Sequence, residues 1–203
     1  MIRKILWTMM TAILLPIFLF GCSEFGTVDQ GRAIEFDKEK GLVTIIRDVK
    51  HDARNPDYSF LPPVTYQKPV DPQEMGADPK AGYRMKLDTK KKQIVIFDKA
   101  AQNFKTIDYV PIDEQENIDR NHPLVYDKAS EKAKKFPAVD KDKKQITIYS
   151  PRQKILVTIG VPAEYFALPD YTWDSGDEVR IYFKEPGKAL RLMNISKTDI
   201  FKK

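Results

Sequence analysis

Leu87-Asp88-Thr89-Lys90-Lys91-Lys92-Gln93-Ile94-Val95-Ile96-Phe97 returns 52 positions later as Val139-Asp140-Lys141-Asp142-Lys143-Lys144-Gln145-Ile146-Thr147-Ile148-Tyr149. The register holds without a gap to Thr106-Ile107 against Thr158-Ile159. A looser copy is Phe36-Asp37-Lys38-Glu39-Lys40-Gly41-Leu42-Val43-Thr44-Ile45-Ile46. Each copy has an apolar residue, an aspartate, a charged turn and then a strand. The aspartate carboxylate binds nearby backbone amides and starts the turn. The lysines keep the turn solvated. Ile94 and Ile96, like Ile146 and Ile148, fall on one face of a strand of period two. The pattern predicts a hairpin-rich body with an internal duplication over about 85–110 and 137–162. Both isoleucine pairs should face a core.

The flanks agree with a mainly β reading. Arg32–Phe36 and Leu42–Arg47 enclose Asp37–Gly41, with Gly41 free to take positive φ. Val179, Ile181 and Phe183 share one face, and Glu185-Pro186-Gly187-Lys188 turns the chain into Ala189–Met193. Gly176-Asp177-Glu178-Val179-Arg180-Ile181 is similar to the Gly-Asp-x-Val-x-Val opening of a strand in small barrels of the OB type. Prolines crowd residues 54–82, at Pro56, Pro62, Pro63, Pro69, Pro72 and Pro79, which predicts one long loop. Tyr126–Phe136 holds adequate helix formers and is the one helix expected. The fold expected is a small antiparallel barrel or sandwich, OB-like, built from hairpin repeats, with one short helix and a long Pro-rich loop.

The start of the chain has a different character. Arg3 and Lys4 precede an apolar run from Ile5 to Phe20, interrupted only by Thr8, Thr11 and Pro16. That run is shorter than the roughly 20 residues needed to cross a bilayer as a helix. It ends in Leu19-Phe20-Gly21-Cys22. These four residues resemble the lipobox of bacterial lipoproteins, although Phe20 stands where a small or aliphatic residue is usual. The resemblance implies a signal peptide over 1–21, cleavage between Gly21 and Cys22, and lipid on the Cys22 thiol. It also implies a lipidated tether over 22–30 and a β-rich domain over 31–203. Two or three acyl chains make a lasting anchor, since each buried CH₂ adds about 0.8 kcal/mol. The expected place is the cell envelope, facing the periplasm, with Ser23 leaning toward the outer membrane. The lipobox, the hairpin-rich body and the ending Lys197-Thr198-Asp199-Ile200-Phe201 together resemble the bacterial lipoprotein families built on a domain of unknown function.

Composition narrows the chemistry. The chain has 34 basic and 29 acidic side chains, and Arg3 and Lys4 leave with the leader, so the mature balance is only +3. That balance gives no ground for nucleic-acid binding. Cys22 is the sole cysteine, which excludes an intrachain disulfide and, once lipidated, thiol catalysis. His51 and His122 are the only histidines, and neither stands in a metal-ligand spacing. There is no phosphate loop, dinucleotide fingerprint or Gly-x-Ser-x-Gly turn. The carboxylates Asp113, Glu114 and Glu116, or Asp170 and Asp174, would serve a glycosidase only if two stood opposed across a cleft at roughly 5–10 Å, and Asp170–Asp177 reads as a solvated turn rather than a calcium loop. No catalytic residue, cofactor or metal is therefore expected. The expected function is a non-enzymatic binding or assembly module, held to the membrane through Cys22 and serving an envelope protein partner. The alternative is a small-ligand or glycan-binding module whose surface is Tyr58, Phe60, Tyr66 and Trp173. Convergence of those aromatics in an open patch separates the two readings.

Overall fold

The computed structural model describes residues 25–52 and 55–198. The expected leader, Gly21 and Cys22 lie outside the described residues. The strands run in chain order as β1 (Thr27–Asp37), β2 (Leu42–Arg47), β3 (Val64–Gln67), β4 (Arg84–Asp88), β5 (Gln93–Asp98), β6 (Asn103–Asp108) and β7 (Val110–Gln115). Then come the short β8 (Tyr126–Asp127) and β9 (Lys132–Ala133), β10 (Ala138–Asp140), β11 (Gln145–Ser150), β12 (Ile155–Gly160), β13 (Glu178–Glu185) and β14 (Lys188–Asn194). The protein is mainly β, and its helical segments among the described residues are single 3₁₀ turns such as Ala163–Ala167 and Asp170–Trp173.

Alternation puts one face of each outer strand inside a barrel. β1, β2, β3, β14 and β13 close on themselves in that order, antiparallel throughout except for β3 beside β14. Val43, Ile45, Tyr66, Val179, Ile181 and Leu192 fill the interior. Gly41 and Gly187 take positive φ in the two hairpin turns, where a Cβ would be strained.

Residues 68–177 leave the barrel after β3 and return at β13. Within this excursion β4-β5-β6 form one sheet and β10-β11-β12-β7 a second. β5 and β6 are each matched, 52 residues on, by β11 and β12 with the same bounds. The amide of Lys91 donates to Asp88 Oδ1 at 3.0 Å, and that of Lys143 to Asp140 Oδ1 at 2.9 Å. Lys92 and Lys144 close these turns at φ of 56° and 52°. The looser copy does the same, with Lys40 donating to Asp37 Oδ1 at 2.9 Å and Gly41 at φ 65°. Ile94, Ile96, Ile146 and Ile148 are all buried, in one core with Tyr109, Val157, Ile159, Phe166 and Trp173. The two segments thus share their turns, their strand bounds and the face they bury.

Those turns make an acid-sensitive element. The backbone N–H of the lysine three residues on is the main cause holding the carboxyls of Asp37, Asp88 and Asp140 below the usual value of 3.8. A lowered folded-state value means their stabilising contribution is present above pH 3.8 and lost as pH falls through the lowered values. The triple variant Asp37→Asn/Asp88→Asn/Asp140→Asn keeps an acceptor oxygen but loses the charge. In urea titrations it should be less stable than wild type at neutral pH, and the gap should close on acidification. A gap independent of pH would sink this account.

Four expectations need correction. The segment expected as a helix, Tyr126–Phe136, instead begins as a hairpin in which Tyr126 pairs with Ala133 and Asp127 with Lys132. Asp127 takes the Ala129 amide at 3.0 Å and the Ser130 hydroxyl at 2.7 Å, and Glu131 turns through φ 51°. Residues 127–135 are exposed, so a helix there would have had no apolar face to bury. The Pro-rich stretch is not one loop, because Val64-Thr65-Tyr66-Gln67 carries no proline and forms β3. Its prolines flank the strand without entering it. The expected tether over 22–30 is too long: Thr27–Gln30 pair with β13. Asp29 and Gln30 look solvated in sequence, yet both are buried. Lastly, the barrel is not built from the two matched segments, which lie in separate sheets outside it.

Candidate functional site

The excursion leaves and re-enters the barrel through a narrow neck. The amide of Gly82 donates to Ala33 O at 3.2 Å, and that of Ala33 to Asp177 O at 2.9 Å. Arg84 N donates to Asp174 O and Asp177 N to Lys80 O, both at 2.8 Å. Three backbones therefore cross: the outgoing connector, the returning connector and β1. Only glycine fits at the crossing. A Cβ on Gly176 would stand 2.2 Å from Ala33 O, and one on Gly82 would stand 2.4 Å from Asp174 O. Beside the neck, Ile34 and Ile46 from the barrel pack with Tyr83, Met85 and Phe97 from the first sheet.

A cleft of about 780 Å³ opens next to this junction. Its cations are Arg32, Lys80, Arg84, Lys86, Arg120 and Arg152, and its acids are Asp174 and Asp177. Tyr58, Met85, Leu87, Val95 and Phe104 add an apolar wall. The volume lies within the range of small-molecule sites, and charged and apolar side chains share the lining.

Two of the arginines are inner ones, each 9 % exposed. Arg32 Nη1 donates to Arg84 O at 3.1 Å and Met85 O at 3.0 Å, and its guanidinium lies 4.8 Å from the Tyr58 ring centre. Arg84 Nε donates to Trp173 O at 2.8 Å. Burial, reinforced by the charge of Arg32, pushes the Arg84 guanidinium down to about 10. Tyr58 Oη donates to Glu178 Oε2 at 2.8 Å, and burial raises the Glu178 carboxyl above its ordinary value. Two buried atoms here, Arg32 Nε in the cleft lining and Glu178 Oε1 behind Tyr58, have no hydrogen-bond partner.

Most other charges at the mouth are already paired. Lys80 meets Asp174 at 2.5 Å, Lys86 meets Asp88 at 3.0 Å, and Lys197 meets Asp177 at 3.3 Å. Arg84, Arg120 and Arg152 form no ion pair among the described residues. The cleft thus keeps a surplus of positive charge on guanidinium groups.

The aromatics expected to make a joint surface do not converge. Trp173 is fully buried between the two sheets, and Tyr66 is buried inside the barrel, where its hydroxyl donates to Asp29. Phe60 lies under the Arg47 guanidinium at 3.7 Å. Only Tyr58 reaches the cleft. Large rings gain most from full burial, and two of the four were used as core. The arginines of the cleft were not legible as a motif, being spread from residue 32 to 152. One signal was present: nine of the 34 basic residues are arginine, and four of those nine line this cleft. Of the carboxylates, Glu114 pairs with Lys92 at 2.6 Å and Asp170 with Lys141 at 3.5 Å. No group of three or more His, Cys, Asp or Glu able to hold a metal ion occurs among the described residues.

A family model described as Domain of unknown function (DUF4881) matches residues 24–203. The chain belongs to this family. The match begins two residues after Cys22 and takes in the DUF4881 barrel, its neck and both further sheets. No curated protein and no solved structure matches the chain.

Proposed function

We propose that this DUF4881 chain is an envelope lipoprotein whose folded part is a non-enzymatic binding module. The observation that carries the reading is the sequence Leu19-Phe20-Gly21-Cys22 set directly before the folded body. Strand β1 begins at Thr27, so four residues, or five Cα-to-Cα steps, separate the proposed lipid-bearing Cys22 from the barrel, a reach of about 18 Å at most. The barrel is held against the membrane rather than displayed far from it. A shallow groove beside the start of β1 fits that position: Val28, Leu190 and Met193 are exposed there, beside Arg180, which donates to Gln30, and the Arg191–Glu74 ion pair. Such an apolar patch, with Arg191 already matched by Glu74, suits contact with the apolar boundary of a lipid surface. An envelope protein is the partner expected for the rest of the surface.

The barrel is read here as OB-type. Its strand order, the parallel contact of β3 with β14 and the closure of β13 on β1 support that reading. Cys22→Ser tests the anchor. The variant should accumulate as unprocessed precursor and take up no labelled palmitate in cells. Normal maturation of the variant, with unchanged partition into detergent, would end the lipoprotein reading.

A second reading, a small-ligand module, is favoured by one observation: the arginine-lined cleft beside the neck. It sits on the fold apart from the groove at the start of β1, so one anchored body has room for both.

A further inference from the structure

We propose that the cleft between barrel and excursion binds a phosphate monoester whose remainder is apolar or carries a ring. This deepens the small-ligand reading and does not depend on the lipid anchor. Three observations lead to it.

The first is charge. Asp174 and Asp177 are matched by Lys80 and Lys197, and Lys86 is matched by Asp88. What is left over is Arg84, Arg120 and Arg152, with Arg32 facing Glu178 across Tyr58. An unbalanced set of guanidiniums suits a dianion better than a monoanion, and guanidinium forks match phosphate oxygens in pairs.

The second is burial. Arginine is among the residues least often buried without a partner. Here Arg32 and Arg84 are both nine-tenths buried, side by side, and Arg32 Nε has no acceptor. Two adjacent buried cations repel each other, which is one cause of the lowered Arg84 value. Their backbone acceptors, Arg84 O, Met85 O and Trp173 O, hold them in place without neutralising them. Glu178 stands by Arg32 and Asp174 by Arg84, but Asp174 is already held by Lys80, so an anion beside Arg84 would supply charge still wanting there.

The third is the apolar part of the lining. Met85, Val95, Phe104 and Tyr149 line the same space. A bare inorganic ion would leave that apolar surface uncovered, whereas an organic remainder covers it.

The test is isothermal titration calorimetry on the full-length chain in detergent. Phenyl phosphate should bind, inorganic phosphate should bind more weakly, and phenol should give no heat. Arg120→Gln and Arg152→Gln lie at the mouth, outside the buried core, and each should weaken phenyl phosphate about tenfold, the size of one lost charge-assisted contact. Lys188→Gln, on the β13–β14 turn, should leave affinity unchanged. Arg84→Gln should abolish binding; since that variant can also unfold, its circular dichroism is recorded alongside, and the two mouth variants carry the decision. Soluble phosphate ester and lipid headgroup are separated by dihexanoyl phosphatidic acid kept below its micellar concentration. If it displaces phenyl phosphate and outbinds it, the source is a lipid; if it fails to compete, the source is a soluble ester. No heat from phenyl phosphate, or equal affinity in wild type and both mouth variants, overturns the proposal. Either failure leaves the Cys22→Ser result untouched, because that experiment reads processing and palmitate alone.

Discussion

Gly176→Ala should lower the stability of the folded chain by about 2–5 kcal/mol, combining a left-handed backbone penalty with forced overpacking. Gly176 takes φ of 64°, and its missing Cβ leaves room for Ala33 O at 2.2 Å and Gly82 N at 3.0 Å. The neighbours are backbone atoms of other segments and cannot swing away as a flexible side chain would. Moving any one of them breaks the bonds from Gly82 to Ala33 and from Ala33 to Asp177 that join excursion to barrel. The control is Gly160→Ala, where the nearest atom would be an ordinary 3.6 Å from the new Cβ. Urea unfolding, followed by far-ultraviolet circular dichroism, should show a large drop in midpoint for the first variant and little change for the second. Equal midpoints would mean that the neck tolerates a side chain and that its close crossing carries no weight.

Trp173→Ala should cost about 3–5 kcal/mol, the usual loss for removing a large aromatic from a core. The ring is fully buried between the two sheets, in contact with the isoleucine core of both matched segments. Its indole N–H has no partner, so Trp173→Phe removes a buried unsatisfied donor as well as part of the ring, and should cost clearly less. The effect should extend beyond stability. Trp173 O holds Arg84 Nε at 2.8 Å, and a collapsed 3₁₀ turn at Asp170–Trp173 would release that arginine. The alanine variant, even where still folded, should therefore lose phenyl phosphate affinity, while the phenylalanine variant keeps it. Thermal unfolding and calorimetry on the same samples check both points. Wild-type stability of the alanine variant would show that the ring is peripheral.

How far the sequence spoke depended on how local each determinant was. The Asp88 and Asp140 turns and the isoleucine pairs depend on side chains within a few residues of one another, and period and turn chemistry revealed them. The β13–β14 hairpin was legible for the same reason, through Pro186 and Gly187. The strand Val64–Gln67 was hidden because its prolines were read as a property of the whole stretch, whereas only its flanks carry them. Thr27–Gln30 was hidden because Asp29 and Gln30 are polar, and nothing nearby in sequence announces Tyr66, Arg47 and Arg180 as their partners. The cleft was the least legible. Its arginines come from β1, β4 and two loops, and only closure of the neck brings them together. Tyr58 alone was singled out in advance, and for its ring rather than for its hydroxyl bond to Glu178.

The barrel is completed by strands from opposite ends of the chain: Gln30 pairs with Arg180, and β3 with β14 across more than a hundred residues. For a chain that emerges amino end first, this sets an order of events. β1, β2 and β3 appear early, but their outer edges have no partner until β13 and β14 arrive. The matched hairpins β5–β6 and β11–β12 in between close over short turns and have low contact order, so they are fitted to form first. Until the last 26 residues, which carry β13 and β14, clear, the nascent chain has an open three-stranded edge of the kind that invites pairing with another copy. Under the lipoprotein reading proposed above, the export machinery would have to shield that edge for as long as the carboxyl-terminal hairpin is still in transit.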